Sequence, residues 1–279
     1  MIEYKVISCA VSGSGNKIFK TGDLVNESHF TPGRAEDLAN RGHLKRLKPV
    51  KLNFKIGVLI PTRGNRPVFL EQALSLINAQ TRQPDHVEII SDLPLSEDID
   101  VTYRYRIGCE RLFALGCDVI IFWEDDDWYS PEYIELMIGE WMRIGRPSLF
   151  GIGQTVYYHI FSRRYMVLAH RSKASAMSTM VTRKIMDLKW PKDNDAYLDA
   201  ALWKYPGKTW IPAKHICIGI KHNTGMVAGG AHNEDNAHYN KVDADGSWLR
   251  GVCGDGAEFY ESLVMSGDKH TSRKINSRF

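Results

Sequence analysis

The chain is 279 residues long, with 43% hydrophobic and 25% charged residues and a formal net charge of +3. These are the proportions of an ordinary soluble globular protein, long enough for one sizeable domain with a full α/β core and a small appendage. A charge this small does not by itself call for a nucleic-acid partner. No apolar run approaches the length of a transmembrane helix, and the opening "MIEYKVISCAVSG" lacks the layout of a signal peptide. The five cysteines (Cys9, Cys109, Cys117, Cys217, Cys253) are odd in number and unpaired by any CxxC spacing, so they read as reduced thiols of a cytoplasmic protein.

Residues 1–48 read as a separate small module. "YKVISCAV" and "NKIFKTGDLV" alternate like two strands joined by the turn-forming "SGSGN", and "PGRAEDLANRGHLKRL" predicts a short helix ended by Gly42. Residues 49–54 read as a linker, and 55–265 as the main domain, with a nucleotide-binding half (55–140), an acceptor half (141–265) and a basic tail at 266–279. The main domain opens on a buried strand, Ile56 to Ile60, that runs into the polar loop Pro61-Thr62-Arg63. "PVFLEQALSLINAQT" has apolar residues at helical spacing with Pro67 suited to a first turn. "HVEIISD" is a second strand ending at Asp92, "VTYRYRIGCERLFALG" a helix closed by Gly116, and "DVIIFW" a third strand. This alternation predicts an α/β fold with a mostly parallel sheet and helices on both faces. In such sheets ligands bind beyond the carboxyl ends of the strands, where Thr62, Asp92 and the run Glu124 to Asp127 all fall. Beyond the helix "SPEYIELMIGEWMRIG", "SLFGIGQTVYYHIF" and "RRYMVLAH" predict a hairpin turning at "SRR". "NDAYLDAALWKY" follows as a helix, "KHICIGIKHN" as a strand and "GMVAGGAHN" as a loop.

The acid run "EDDDW" asks for a counter-charge. Adjacent carboxylates at the end of a buried strand are readily neutralised by Mg²⁺ or Mn²⁺, which take oxygen ligands together with substrate phosphates. The competing reading is a solvated helix cap, with Asp127 or Ser130 capping a helix that starts near Pro131. A calcium loop is disfavoured, since its alternating ligand spacing and central glycine are absent.

Taken in order, "IGVLIPTRGNRPVFLEQALSLINAQT", "EIISD" and "DVIIFWEDDDWYSPEYI" resemble the family 2 glycosyltransferases of GT-A fold over about residues 54–140, and more loosely to about 225. The resemblance implies a GT-A domain that moves a sugar from a nucleotide-diphosphate donor, a UDP-sugar, to an acceptor hydroxyl with inversion. It implies donor contacts at Pro61, Thr62, Arg63, Asp92 and Asp125, and at Arg104, with Arg106 in reserve. The metal falls to Asp126 and Asp127, a register left open by one residue, with Glu124 as a neighbour, and late in the chain to His222. The resemblance also implies a catalytic base in "WPKDNDAYLDAALW", where Asp195 best fits the helix-opening position beside Asp193 and Asp199, and where a helix cap is the competing role. Lys221 equally suits a phosphate. Trp128 and His232 are assigned to the acceptor side, and the other tryptophans to the core.

The acceptor is the open question. The N-terminal module resembles short units of phage-encoded proteins, which makes a hydroxymethylated base in phage DNA one expectation, in the cytoplasm of the host. The duplex backbone would then lie along Arg163, Arg164, Arg171, Lys173 and the tail residues Lys269, Arg273, Lys274 and Arg278. The alternatives are a glycan acceptor, nucleotidyl transfer from a nucleoside triphosphate, or a non-catalytic recognition protein. The "PTRGNRP" loop matches the phosphate loop of nucleotidyltransferases poorly.

Overall fold

Two stretches of the chain, Met1–Asn53 and Phe54–Phe279, close separate cores. The computed structural model describes residues 3–7, 10–14, 18–26, 29–31, 33–46, 54–91, 99–170, 172–222, 232 and 237–265. The first unit holds β1 (Glu3–Val6), β2 (Ala10–Ser12), β3 (Ile18–Lys20), β4 (Leu24–Asn26), α1 (Arg34–Asn40) and β5 (Leu44–Arg46). β1 pairs antiparallel with β4 and β5, while β2 and β3 form a hairpin of their own. The two long strands expected here are thus each broken in two. Gly22, at φ 101, makes the second break, and its amide donates to Val6 O at 2.9 Å. Gly42, at φ 74, follows α1 as predicted, but β5 beyond it was not anticipated. Tyr4, Val6, Val25, Phe30, Leu38 and Leu44 fill this small core.

In the second unit β6 (Ile56–Pro61), α2 (Pro67–Asn78), β7 (His86–Ile90), α3 (Val101–Ala114) and β8 (Val119–Phe122) follow the predicted alternation. A short strand β9 (Trp128–Tyr129) and α4 (Tyr133–Arg143) lead to β10 (Leu149–Ile152), β11 (Gln154–His159) and β12 (Arg164–Ala169). Then come β13 (Thr179–Thr182), α5 (Leu198–Leu202), β14 (Lys208–Trp210), β15 (Cys217–Lys221), β16 (Lys241–Val242), α6 (Ser247–Cys253) and α7 (Ala257–Met265).

The first sheet runs β14-β10-β13-β8-β6-β7. β6 pairs parallel with both β7 and β8, and β10 with β14; only β13 runs against its neighbours, so the sheet is mixed and mostly parallel. Its strands are apolar on both faces because both faces are covered. Ile56, Val58, Ile60, Val119 and Ile121 point to the side of α2 and α4, whereas Leu59, Ile120 and Phe122 point to the side of α3 and α5. The second sheet runs β16-β12-β11-β15-β9 and buries Val156, Tyr158, Ile218 and Ile220 with Leu249, Ala257 and Tyr260 of α6 and α7.

The expected strand over "SLFGIGQTVYYHIF" is divided between the two sheets at Gly153, where an added Cβ would stand 3.1 Å from Thr209 Cβ and 3.2 Å from His170 O. The helices α6 and α7 were not anticipated. Gly251, Gly254 and Gly256 interrupt their apolar period, and Gly254 sits at φ 55. Cys109, Cys117, Cys217 and Cys253 are buried free thiols, and Cys9 lies outside the described residues. Among the described residues no helix is long and apolar enough to cross a membrane.

Close packing of α3 on β6 depends on Gly108, where a Cβ would meet Leu59 Cδ1 at 2.0 Å. Gly108→Ala is expected to cost about 1–3 kcal/mol through overpacking. The same substitution should cost less in a Leu59→Ala background, as urea denaturation of the four proteins of the cycle would show.

Candidate functional site

Beyond the carboxyl ends of β6 and β8 lies a cleft of about 730 Å³. Its wall on this side includes Pro61, Thr62, Arg63, Arg66, Glu124, Asp125 and Asp126. The turn carrying the acids, between β8 and β9, is held from several directions. Trp123 stacks on Tyr129 with ring centroids 3.8 Å apart. The Tyr129 hydroxyl accepts the Glu124 amide at 2.9 Å and donates to Met177 O at 3.1 Å. Asp127 Oδ1 accepts the Ile220 amide of β15 at 2.8 Å. Thr62 Oγ1 donates to Asp125 Oδ2 at 2.7 Å, so the β6 loop and the acid turn are tied directly.

Two cations answer the carboxylates. Arg66, at the N-cap of α2 just before Pro67, donates from Nη2 to Asp125 Oδ1 and from Nη1 to Asp126 Oδ2, both at 2.6 Å. Lys221, at the end of β15, places Nζ 3.9 Å from Asp127 Oδ1 and 5.0 Å from the centre of the Tyr157 ring. His222 stacks on Phe69 at 4.4 Å, with Nε2 3.0 Å from Asp126 Oδ2 and 3.3 Å from Arg66 Nη1. One nitrogen cannot donate to the carboxylate and accept from the guanidinium at once. The shorter contact to the anion identifies it as a donor to Asp126.

This arrangement splits the titration of the four acids. Burial pushes Glu124 up to about 7, against the pull of Lys221. Burial and the neighbouring Asp126 raise Asp125 to about 6. Burial also acts on Asp126, but Arg66, His222 and Lys221 outweigh it and hold that carboxyl well below the usual range. Asp127 is driven well above it by burial, which Lys221 only partly offsets. The same acids raise Arg66 and Lys221 above their ordinary values despite burial.

Glu124, Asp126 and Asp127 offer ligand atoms within 4.8 Å of one another. Asp127 Oδ2 is buried without a hydrogen-bond partner. An all-carboxylate set with an unsatisfied buried oxygen fits a hard divalent cation. Glu124, expected as a neighbour, belongs to this group, and Asp125 does not.

The remaining expected residues fall in different places. Arg104 is only 2% exposed and its guanidinium is already spent. Nε and Nη2 donate to Asp100 Oδ2 at 3.1 and 2.9 Å, and Nη1 donates to Thr62 O and Ile90 O at 2.9 and 2.7 Å. It fastens the ends of β6 and β7, while Arg63 pairs with the other Asp100 oxygen at 3.1 Å. Arg106 pairs at the surface with Asp193 at 3.0 Å. Asp92 lies outside the described residues.

Asp195 does not line the cleft. It stands in a turn before α5, where its Oδ1 accepts the Tyr197 amide at 2.9 Å. Of Asp193, Asp195 and Asp199, the one that lines the cleft is Asp199, in the first turn of α5. Burial raises its pKa, with the Ala200 amide and Lys173 partly offsetting the rise. Trp128 is corrected to a core residue, packed with Val156, Ile218 and Ala257, because β9 turns it away from the cleft. His232 does line the cleft, with Nδ1 3.0 Å from the Tyr239 hydroxyl, and burial together with Lys221 lowers its pKa to about 4. Of the basic residues, Arg163 donates to Ala244 O at 3.0 Å, Lys173 lines the cleft, and Arg171 and the tail lie outside the described residues.

Sequence reasoning missed Arg66 and Asp100. Both had a signal: Arg66 immediately precedes a proline that opens a helix at a strand end, and Asp100 stands four residues before Arg104.

No family model and no curated protein sequence matches the chain. Among solved structures it is similar to S. aureus TarS 1–349 in complex with UDP-GlcNAc, at 11% identity and a TM-score of 0.46, over 80% of this chain and 77% of that one. It is also similar to A197 from STIV, at 14% identity and a TM-score of 0.40, over 57% of this chain and 82% of that one. A third likeness is to a glycosyltransferase involved in the glycosylation of the major capsid of PBCV-1, at 9% identity and a TM-score of 0.37, over 57% and 83% of the two chains. At these TM-scores no residue of this site takes its role from those structures.

Loss of the Arg104 fork takes a charged donor from the Thr62 and Ile90 carbonyls, of which Ile90 O keeps the Thr62 amide at 3.3 Å, and leaves part of Asp100 unanswered. Arg104→Met is therefore expected to destabilise the protein by about 3–5 kcal/mol, as chemical denaturation would measure. Arg104→Lys should recover only part of that loss, because an ammonium cannot reproduce the planar fork.

Proposed function

We propose that the chain is a metal-dependent glycosyltransferase of GT-A type that moves a sugar from a nucleotide-diphosphate donor, a UDP-sugar, to an acceptor hydroxyl with inversion. The observation that carries this reading is that Glu124 and Asp126 line one cleft with the strand-end residues Thr62 and Arg63, and that the buried Asp127 completes a three-carboxylate group with them. A cleft of about 730 Å³ is of the size that takes a cofactor-sized ligand.

Glu124, Asp126 and Asp127 would hold Mn²⁺ or Mg²⁺, and His222, also on the cleft wall, orients Asp126. Such an ion supplies charge stabilisation for a departing diphosphate. Pro61, Thr62 and Arg63 border the nucleotide side of the cleft, where Arg104 keeps the strand ends in place. Lys221 adds a buried positive charge beside the acids. Asp199 is the proposed base in place of Asp195. It lies on the wall of the cleft shared with Met166, Leu168, His170 and Lys173 of the β12 side, where the acceptor would enter. Its carboxylate would take the proton from the acceptor hydroxyl as that oxygen forms its bond to the anomeric carbon and the diphosphate leaves. For the acceptor, a hydroxymethylated base in DNA and a glycan are the two classes to compare.

The experiment is donor hydrolysis and transfer with a panel of nucleotide sugars against hydroxymethylated DNA and simple glycans, with and without EDTA. Chelation should abolish turnover and Mn²⁺ should restore it. Activity unchanged by EDTA would sink the metal assignment. Asp199→Asn should lower kcat by about 10²–10⁴-fold with donor binding intact.

Burial raises the Asp199 pKa, and a base works only when ionised, so wild-type kcat should fall as the pH drops through that raised value. This acid limb should begin above the ordinary aspartate value of about 3.9 and be absent from the residual activity of Asp199→Asn.

A further inference from the structure

Arg66 already holds an oxygen of Asp126, one of the carboxylates an entering cation would use. It takes one oxygen of Asp125 and one of Asp126, each at 2.6 Å. The Asp126 oxygen it occupies, Oδ2, is also the one His222 approaches at 3.0 Å. Asp126 in turn belongs to the only group of three such side chains within ligand reach of one another among the described residues. A guanidinium does not shed its proton near neutral pH, so this charge can leave the carboxylates only by moving. A divalent ion arriving alone would meet a fixed positive charge hydrogen-bonded to one of its own ligands.

The surroundings allow that movement. Arg66 is the N-cap of α2, follows a loop in which Gly64 sits at φ 71, and reaches the acids from the cleft wall. Its guanidinium carbon lies 5.4 Å from the centre of the Phe69 ring, a flat surface on which it can turn towards the lumen. The fork that fits two carboxylates also fits phosphate oxygens, and the N-terminus of α2 adds positive potential at the same place.

We propose that Arg66 is a resident counter-ion that closes the acid cluster until a nucleoside diphosphate draws the guanidinium onto its phosphates, so that nucleotide and metal bind with positive coupling. This deepens the glycosyltransferase reading and rests on its metal assignment. Arg66 is a positioning residue here: it sets the order in which the site fills. By linkage, the factor by which the nucleotide tightens the metal is the factor by which the metal tightens the nucleotide.

The test is Mn²⁺ binding to the full-length chain, followed by calorimetry and by the electron paramagnetic resonance signal of free Mn²⁺, with protein-free UDP titrations subtracted. Wild type without UDP is expected to bind Mn²⁺ at least tenfold more weakly than wild type with UDP, and at least tenfold more weakly than Arg66→Met without UDP. Arg66→Lys, which keeps the charge but cannot bridge two carboxylates, should fall between, and it decides the matter if circular dichroism shows Arg66→Met to be unfolded. A lysine variant no tighter than wild type would then overturn the proposal. Equal, tight binding to wild type and Arg66→Met without UDP overturns it and leaves the metal assignment standing. No Mn²⁺ bound by any of the proteins, with or without UDP, overturns both.

Discussion

Four consecutive carboxylates at the end of a buried strand are tolerable only if other parts of the chain bring charge and hydrogen bonds to them, and much of the second unit is arranged around that demand. Arg66 arrives from the start of α2, Lys221 and the Ile220 amide from β15, and the Thr62 hydroxyl from the loop after β6. These segments lie far apart in sequence and belong to both sheets. The acid turn is therefore where the parallel sheet and the second sheet are joined by polar bonds. Removing one partner would leave a buried charge unanswered rather than merely delete a contact.

The same compensation makes the four acids chemically unequal. Asp126, which meets Arg66 and His222, stays ionised far below the usual range, whereas Glu124 and Asp127 are pushed upward by burial. A cluster poised between repulsion and neutralisation suits a cation that comes and goes with a polyanionic substrate. Behind it, the fixed network of Arg104, Asp100 and the Thr62 and Ile90 carbonyls keeps the strand ends from shifting. The site thus sets a hydrogen-bonded frame behind acids whose charge Arg66 and Lys221 answer.

Much of the parallel sheet was legible because its signals are local. Runs such as "IGVLI" and "DVIIFW" are apolar on both faces, and the helices between them carry a 3.6-residue period over ten or more residues. The elements that escaped were short or interrupted. β9 has two residues, β14 has three, and glycines cut the period of α6 and α7. The division at Gly153 depends on how closely β14 approaches, which no local pattern records. The site was unevenly legible for a related reason. Residue type singled out the acid run and His222, but whether Trp128 faces core or cleft is set by the pairing of β9 with β15. Whether Asp195 or Asp199 reaches the cleft is likewise set by where a five-residue helix begins.

By itself, then, the sequence determined the α/β alternation, the strand ends at which polar residues gather, and the unusual density of acid after β8, because all three are written in neighbouring residues. Only the tertiary structure decided what "VIIFWEDDDWYSP" does with its charge. It grouped Glu124 with Asp126 and Asp127, set Arg66 on Asp125 and Asp126, turned Trp128 into the core and brought Asp199 to the cleft. Those choices depend on side chains that meet across tens of residues, and a buried charge is compensated by whatever the fold brings within reach.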